Sequence, residues 1–195
     1  GSGPGPSVRR PRGGDGAHFK VMIQATSCFA SASFTCGLAG IGTAPHTPEP
    51  RLTERLVERA YVAFSEEARR RSIDYRQSVA AKPVIISDGD RVLQIITNLL
   101  SNAFRWTPDG GEIELELTAT DGTVYVAVDD SGPGIPPVER ERIFRPFWSL
   151  DGGGGTGLGL AIARELAAAL GGQIRLETSS DEGSRFELVL PTRPK

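Results

Sequence analysis

The stretch Asp90-Arg-Val-Leu-Gln-Ile-Ile-Thr-Asn98-Leu-Leu-Ser-Asn102-Ala-Phe-Arg105 puts two kinds of side chain on two sides of one helix. Val92, Ile95, Ile96, Leu99, Leu100 and Ala103 recur at helical spacing and form an apolar stripe that needs a sheet to lie on. At about 100° per residue, Asn98, Asn102 and Arg105 fall within roughly 60° of one another on another side. Two amides and a guanidinium therefore point the same way. Amide oxygens are neutral hard ligands suited to a hydrated Mg²⁺, and a guanidinium suits phosphate oxygens. Taken alone, this face also reads as plain polar decoration of a solvated helix. Ser87 or Asp88 is available as its N-cap.

Outward from this helix, the pattern supplies the sheet. Glu112 to Thr118 and Val124 to Val128 alternate strictly, and Asp121-Gly122 turns the chain between them, which predicts a hairpin with one wet face. Gln173 to Thr178 and Arg185 to Leu190 alternate again, joined by the polar turn Ser179 to Ser184. From Arg51 onward, Leu52, Leu56, Val57, Ala60, Val62, Ala63 and Phe64 predict an amphipathic helix of up to about twenty residues, ending near Arg71. Val84 to Ile86 reads as a short buried strand. Asp130 to Pro137 reads as a loop, and Val138 to Ile143 as one or two helical turns. Leu158 to Leu170 is a further helix, closed by Gly171. The fold class is α/β: a two-layer sandwich of three main helices on a mixed, mostly antiparallel sheet.

Composition bounds the rest. The chain has 195 residues and formal charge −2, with 38% hydrophobic and 24% charged residues. The first 50 residues hold four basic and two acidic groups, net +2, leaving net −4 over the remaining 145. Neither part is an electrostatic footprint for nucleic acid. Residues 1–50 show neither helical nor two-residue periodicity, and Gly, Pro and Ser are scattered through them, so a flexible leader is expected there and a folded domain over 51–195. Cys28 and Cys36 match no common zinc spacing and are too few for a disulfide scaffold, which points to a reducing, cytoplasmic setting. The uncharged run from Val21 to Ala44 is diluted by Ser, Thr and Gln and makes a poor membrane-spanning helix. It also starts too far in for a signal peptide, so no direct membrane insertion is expected.

Two glycine-rich segments accompany the helix. Asp130-Ser-Gly132-Pro-Gly134-Ile135 follows a strand end, where a carboxylate can accept from an exocyclic amine and glycines let backbone approach a flat ring. Gly154-Gly155-Thr156-Gly157-Leu158-Gly159-Leu160 opens the last helix, whose free N–H groups suit phosphate. No Lys follows as in the G-x-x-x-x-G-K-[ST] loop, and the segment precedes the closing strands, which argues against a dinucleotide fold. Each segment alone is a weak signal.

Together, Asn98-Leu-Leu-Ser-Asn102-Ala, Asp130-Ser-Gly-Pro-Gly-Ile135, Ile143-Phe-Arg-Pro-Phe147 and Gly155-Thr-Gly-Leu-Gly-Leu-Ala-Ile162 occur in order. They resemble the asparagine, first glycine, phenylalanine and second glycine boxes of the sensor histidine kinase ATP-binding domain. The resemblance covers about Arg51 to Pro191 and implies the Bergerat ATP-binding fold of the wider gyrase, Hsp90 and histidine kinase superfamily. It implies ATP and Mg²⁺ as ligands, a dimerisation domain in cis or in trans that carries the phospho-accepting histidine, and a response regulator downstream.

By this resemblance Asn102 is the usual Mg²⁺ ligand and Asn98 assists with metal or phosphate. Arg105 stands where a basic residue reaches the phosphates, and Trp106 where an aromatic packs beside adenine. Asp130 recognises the adenine amino group; Gly132 and Gly134 shape its pocket, and Ile135 belongs to the same nucleotide-binding set. Phe144 and Phe147 serve as hinge and packing. Gly155, Thr156, Gly157, Leu158, Gly159 and Leu160 close a mobile lid over the triphosphate, and Ser184, in place of the more usual Thr, holds a water near adenine. Relatives of the gyrase, Hsp90 and MutL types that hydrolyse ATP carry Glu where this chain has Asn98. An amide takes no proton at neutral pH, so Asn98 implies holding ATP for transfer. Catalysis then rests on positioning and charge neutralisation, with Asn98 and Arg105 as its side chains.

Departures from the family pattern are specific. His18 and His46 lie outside any acceptor-like context, and no helix hairpin is recognisable upstream of Pro50. Ser149 stands where many relatives have Arg, and the expected lid from Leu150 to Gly155 is short and glycine-rich. A serine kinase of the anti-sigma-factor type is a rival, disfavoured by the complete phenylalanine box and second glycine box. A non-catalytic nucleotide-binding interaction module is the other.

Overall fold

A computed structural model describes residues 49–148 and 156–193. Of the leader expected over residues 1–50, residues 1–48 lie outside the described residues, with His18, Cys28, Cys36, His46 and the Val21 to Ala44 run; so do Ser149 and the lid from Leu150 to Gly155. The elements in chain order are β1 (Glu49–Leu52), α1 (Thr53–Arg70), β2 (Asp74–Val79), β3 (Val84–Ser87), α2 (Gly89–Trp106), β4 (Glu112–Thr120) and β5 (Thr123–Asp130). A single 3-10 turn (Pro137–Glu139), α3 (Gly159–Ala169), β6 (Gln173–Ser180) and β7 (Gly183–Pro191) follow.

Five strands form one sheet in the order β2-β4-β5-β7-β6, with β2 parallel to β4 and every other pairing antiparallel. The helices cover one face. Ile113, Leu115 and Leu117 of β4, Val124, Val126 and Val128 of β5, and Phe186, Leu188 and Leu190 of β7 are buried there at every second position. Against them lies the α2 stripe of Val92, Ile95, Ile96, Leu99, Leu100 and Ala103, all at most 1% exposed. Burying each of the larger aliphatic side chains contributes about 1.5–3 kcal/mol. Asp88 caps α2, its Oδ1 accepting from the N–H groups of Asp90 (3.0 Å) and Arg91 (3.1 Å). The expected sandwich of three helices on a mixed, mostly antiparallel sheet is the fold observed among the described residues.

Three local readings differ. The helix expected from Arg51 starts at Thr53, because Arg51 and Leu52 are paired with Ile85 and Val84 in the separate β1–β3 ladder. Thr53 then anchors the helix, donating to the Pro83 carbonyl from both its N–H (3.2 Å) and its Oγ1 (3.1 Å). That ladder begins at Glu49, two residues before the expected domain boundary. Strand β2 was not legible: the half-buried Gln77 interrupts the inward row of Tyr75 and Val79 at the edge of the sheet. Tyr75 nonetheless ties this edge to the helices, stacking on Tyr61 at 4.4 Å and meeting the Phe104 ring edge-on at 5.1 Å. In the "short buried strand", Ile85 alone is fully enclosed, and Val84 is exposed.

Helices α1 and α3 stop by the same device with different residues. After α3, Gly171 (φ +74°) and Gly172 donate to the carbonyls of Ala168 (3.0 Å) and Ala167 (2.8 Å). After α1, Ser72 (φ +53°) and Ile73 donate in the same pattern to Arg69 (3.2 Å) and Ala68 (2.9 Å). Ser72 thus occupies a left-handed position that favours glycine. Ser72→Gly is expected to stabilise the domain by on the order of 0.5–1 kcal/mol, read as a higher urea midpoint at unchanged slope; a lower midpoint would contradict this reading of the turn.

Candidate functional site

Strand alternation delivers Asp130 to the helix-covered face at the end of β5, in line with Val124, Val126 and Val128. The Asp130 Oδ1 accepts from the Gly132 N–H at 2.9 Å, and the register sets Asp130 beside Ser184 of β7. Burial pushes the Asp130 carboxyl up to about 6; the Gly132 N–H and the Ser184 backbone act in the opposite sense, and the neighbouring Asp129 raises it further.

Backbone packs closely around the end of β5, leaving no room for side chains at Gly134 or Gly183. Gly134 has φ +69°, and a Cβ there would lie 1.8 Å from the Ser180 carbonyl. Gly183 has φ +143°, and its Cβ would lie 1.9 Å from the Asp130 carbonyl. Gly132 runs beside the Trp106 carbonyl, so the segment after β5 abuts the end of α2. Ser184 is buried, its Oγ 3.1 Å from that of Ser179, and the Ser179 Oγ accepts from the Ile135 N–H at 2.7 Å.

Asn98 and Asn102 are half-buried on α2, and the Asn98 Nδ2 is enclosed without a hydrogen-bond partner. A buried donor of this kind carries a desolvation cost that an incoming acceptor removes. Arg105 is exposed and lies over the Trp106 ring, 5.1 Å from its centroid. Helix α2 packs along α3, whose first turn has no side-chain cap, leaving its early N–H groups available. Thr156, Gly157, Leu158, Gly159 and Leu160 lead into that turn; Gly155 lies outside the described residues. The Gly157 carbonyl accepts from the Phe147 N–H at 3.0 Å, which joins the two ends of the intervening segment. Phe144 packs on the core, edge-on to Phe186 at 6.3 Å. Phe147, expected to pack likewise, is 78% exposed: its φ of +63° turns it outward.

Three contributors were not legible in the sequence. Arg140 donates to the carbonyls of Ile135 (3.2 Å) and Ser179 (2.6 Å), tying the glycine-rich loop to β6. Arg71 donates to the carbonyls of Phe104 and Thr107 and pairs with Asp109, so it holds the end of α2 from the end of α1. Ser179 bridges Ile135 and Ser184. These are ordinary residue types with long-range partners, and no local pattern marks them.

Residues 87–194 match the family model for histidine kinase-, DNA gyrase B- and HSP90-like ATPases. The chain is 48% identical over 111 residues to the sensor protein TorS of Escherichia coli strain K12, covering 56% of this chain and 12% of that protein. It is similar to the solved catalytic domain of the histidine kinase ThkA, with TM-score 0.69 and 32% identity over 74% of this chain and 95% of that one. Full-length ShkA, solved in complex with AMPPNP, gives TM-score 0.67 and 35% identity over 73% of this chain and 30% of that one. The chain spans between 9% and 37% of the length of several curated relatives that it matches.

The raised Asp130 carboxyl has a consequence for stability. The native state binds the proton more tightly than the unfolded chain, so this group's contribution falls as pH climbs from about 4 to about 6. Asp130→Asn is expected to flatten the pH dependence of the unfolding midpoint across that window. An unchanged slope would show that Asp130 ionises freely in the native state.

Proposed function

Because this chain belongs to the histidine kinase-, DNA gyrase B- and HSP90-like ATPase family, and within it to the sensor histidine kinase catalytic domains, we propose that it binds Mg·ATP and passes the γ-phosphoryl group to a histidine supplied by another segment or chain. The observation that carries the reading is the Asp130 carboxylate, partly withdrawn from water and held by the Gly132 N–H, at a strand end where backbone packs too closely for side chains at Gly134 and Gly183. A flat base with an exocyclic amine fits such a recess, because the amine supplies a further donor to the carboxylate and glycine leaves room for the ring.

On the phosphate side, the enclosed Asn98 Nδ2 lacks the acceptor that a phosphate oxygen provides. Asn102 follows one turn later with a second amide, whose oxygen suits a magnesium ion held mainly by substrate phosphates and water. Bound there, magnesium supplies charge neutralisation on the phosphate oxygens. Arg105, Trp106 and the first turn of α3 complete the set: a mobile cation, an aromatic for the base and N–H groups for phosphate.

In the transfer, a histidine ring nitrogen attacks the γ-phosphorus, the N–P bond forms, the bond to the β-phosphate oxygen breaks, and ADP leaves. Asn98 cannot activate water, so hydrolysis has no general base at that position. The phosphohistidine then serves a response regulator. A complex with a response regulator has been solved for ThkA. A cytoplasmic setting follows from the need for ATP; among the described residues no helix is long and apolar enough to cross a membrane.

Calorimetry with Mg·AMPPNP is expected to give one site, weakened about 10- to 100-fold in Asp130→Ala, the range for a lost hydrogen bond to a charged group. Affinity is also expected to fall below about pH 6, where Asp130 takes up a proton, and to lose that dependence in Asp130→Asn. Supplied with a histidine-bearing helix hairpin and labelled ATP, the chain is expected to produce an acid-labile phosphohistidine. An acid-stable phosphoserine would favour the anti-sigma-factor type of kinase, and binding without transfer a nucleotide-sensing module. No binding by the wild type contradicts the reading altogether.

A further inference from the structure

The face of the sheet opposite the helices holds one guanidinium with an unusual reach. Arg185 of β7 donates from Nε to Glu177 of β6 (2.7 Å) and from one terminal nitrogen to Glu116 of β4 (2.6 Å). Its other terminal nitrogen bonds Asp129 of β5. One side chain, 26% exposed, therefore links four of the five strands at the end of the sheet where Asp130 and Ser184 lie on the other face.

Glu177 is the residue at which the β6–β7 register shifts: Leu176 pairs with Phe186 but Thr178 pairs with Arg185, leaving Glu177 as the extra residue of a bulge. An extra residue reverses which side chains face which side of a strand. Ile174 and Leu176 point toward the helices, and unbroken alternation would send Ser179 to the outer face. The bulge turns Ser179 inward instead, opposite Ser184, where its Oγ receives the Ile135 N–H and meets the Ser184 Oγ. Arg140 then grips the Ser179 carbonyl. The loop that walls the base recess is thus hung on a bulge, and the bulged residue is held by Arg185.

We propose that Arg185 is a positioning residue for base selectivity: by clamping the Glu177 bulge to Asp129 and Glu116, it fixes Ser179, Ser184 and Asp130 in the arrangement that recognises a 6-amino purine. Arg185 touches no nucleotide in this scheme. Its effect passes through the sheet and falls on the base half of the ligand, leaving the phosphate half, built from α2 and α3, unaltered. The inference rests on the assignment of the adenine amino group to Asp130.

The test compares the dissociation constants of Mg·ATP and Mg·ITP, which differ at the purine 6-position, for the whole chain and its variants. Wild type is expected to prefer ATP by about tenfold or more, the range for a hydrogen bond to a charged group. Arg185→Met is expected to weaken ATP about tenfold and ITP less than about threefold, so that the preference collapses, with Arg185→Lys partly restoring it. Glu177→Gln, a milder change at a more exposed residue, is expected to move the ratio in the same direction by roughly threefold. If both variants weaken the two nucleotides equally, or leave the ratio as in wild type, Arg185 is only a sheet fastener and the proposal is overturned. A wild type without preference between ATP and ITP refutes the Asp130 assignment itself, a result distinct from loss of the Arg185 effect alone.

Discussion

The structure turns on how closely three stretches of backbone pack at the strand end that carries Asp130. The segment after β5, the turn between β6 and β7, and the end of α2 meet around Asp130 with no space for a side chain at Gly134 or Gly183. A carboxylate so placed loses hydration, and its proton affinity rises accordingly. The domain thus maintains an acceptor partly withdrawn from water, which a purine amine would satisfy on the proposed reading. Destabilisation of this sort in the free state is a common accompaniment of binding sites.

The chemistry of the second half of the site follows from amides. Asn98 and Asn102 neither donate nor remove protons at neutral pH, so the helix that carries them can orient a polyphosphate and an accompanying cation without activating water against it. The unpartnered Asn98 Nδ2 is a counterpart of Asp130: one is an enclosed donor without an acceptor, the other an acceptor partly withdrawn from water. A single nucleotide has an acceptor and a donor to offer, at its two ends. On the proposed reading the chain suits group transfer better than hydrolysis, with the accepting nucleophile supplied by another segment or chain.

The sandwich and most of its elements were legible, because α2, β4, β5 and β7 announce themselves by period: an apolar stripe at helical spacing and strict alternation in the strands. The positions of Asp130, Gly132, Gly134 and Asn98 were legible too, since glycine and asparagine stand out against their surroundings. Strand β2 was hidden by Gln77 in its inward row, and β1 by residues whose apolar spacing ran on into α1. The supports of the site were hidden for another reason. Arg71, Arg140, Ser179 and Arg185 act through partners 33 to 38, 5 to 39, 5 to 44 and 8 to 69 positions away, and pairings of that reach depend on how the elements pack and on sheet register. The bulge at Glu177 is the sharpest case: it reverses which side Ser179 faces, and nothing in Gln173 to Ser180 signals it.

The most direct measurement is a structure of the chain with a magnesium-bound, non-hydrolysable ATP analogue. The purine amine is expected within hydrogen-bond distance of an Asp130 carboxylate oxygen, with Asn98 now partnered by a phosphate oxygen and Asn102 turned to the metal. A nucleotide bound elsewhere, with Asp130 facing solvent and the Asn98 amide still enclosed without a partner, would contradict the functional reading.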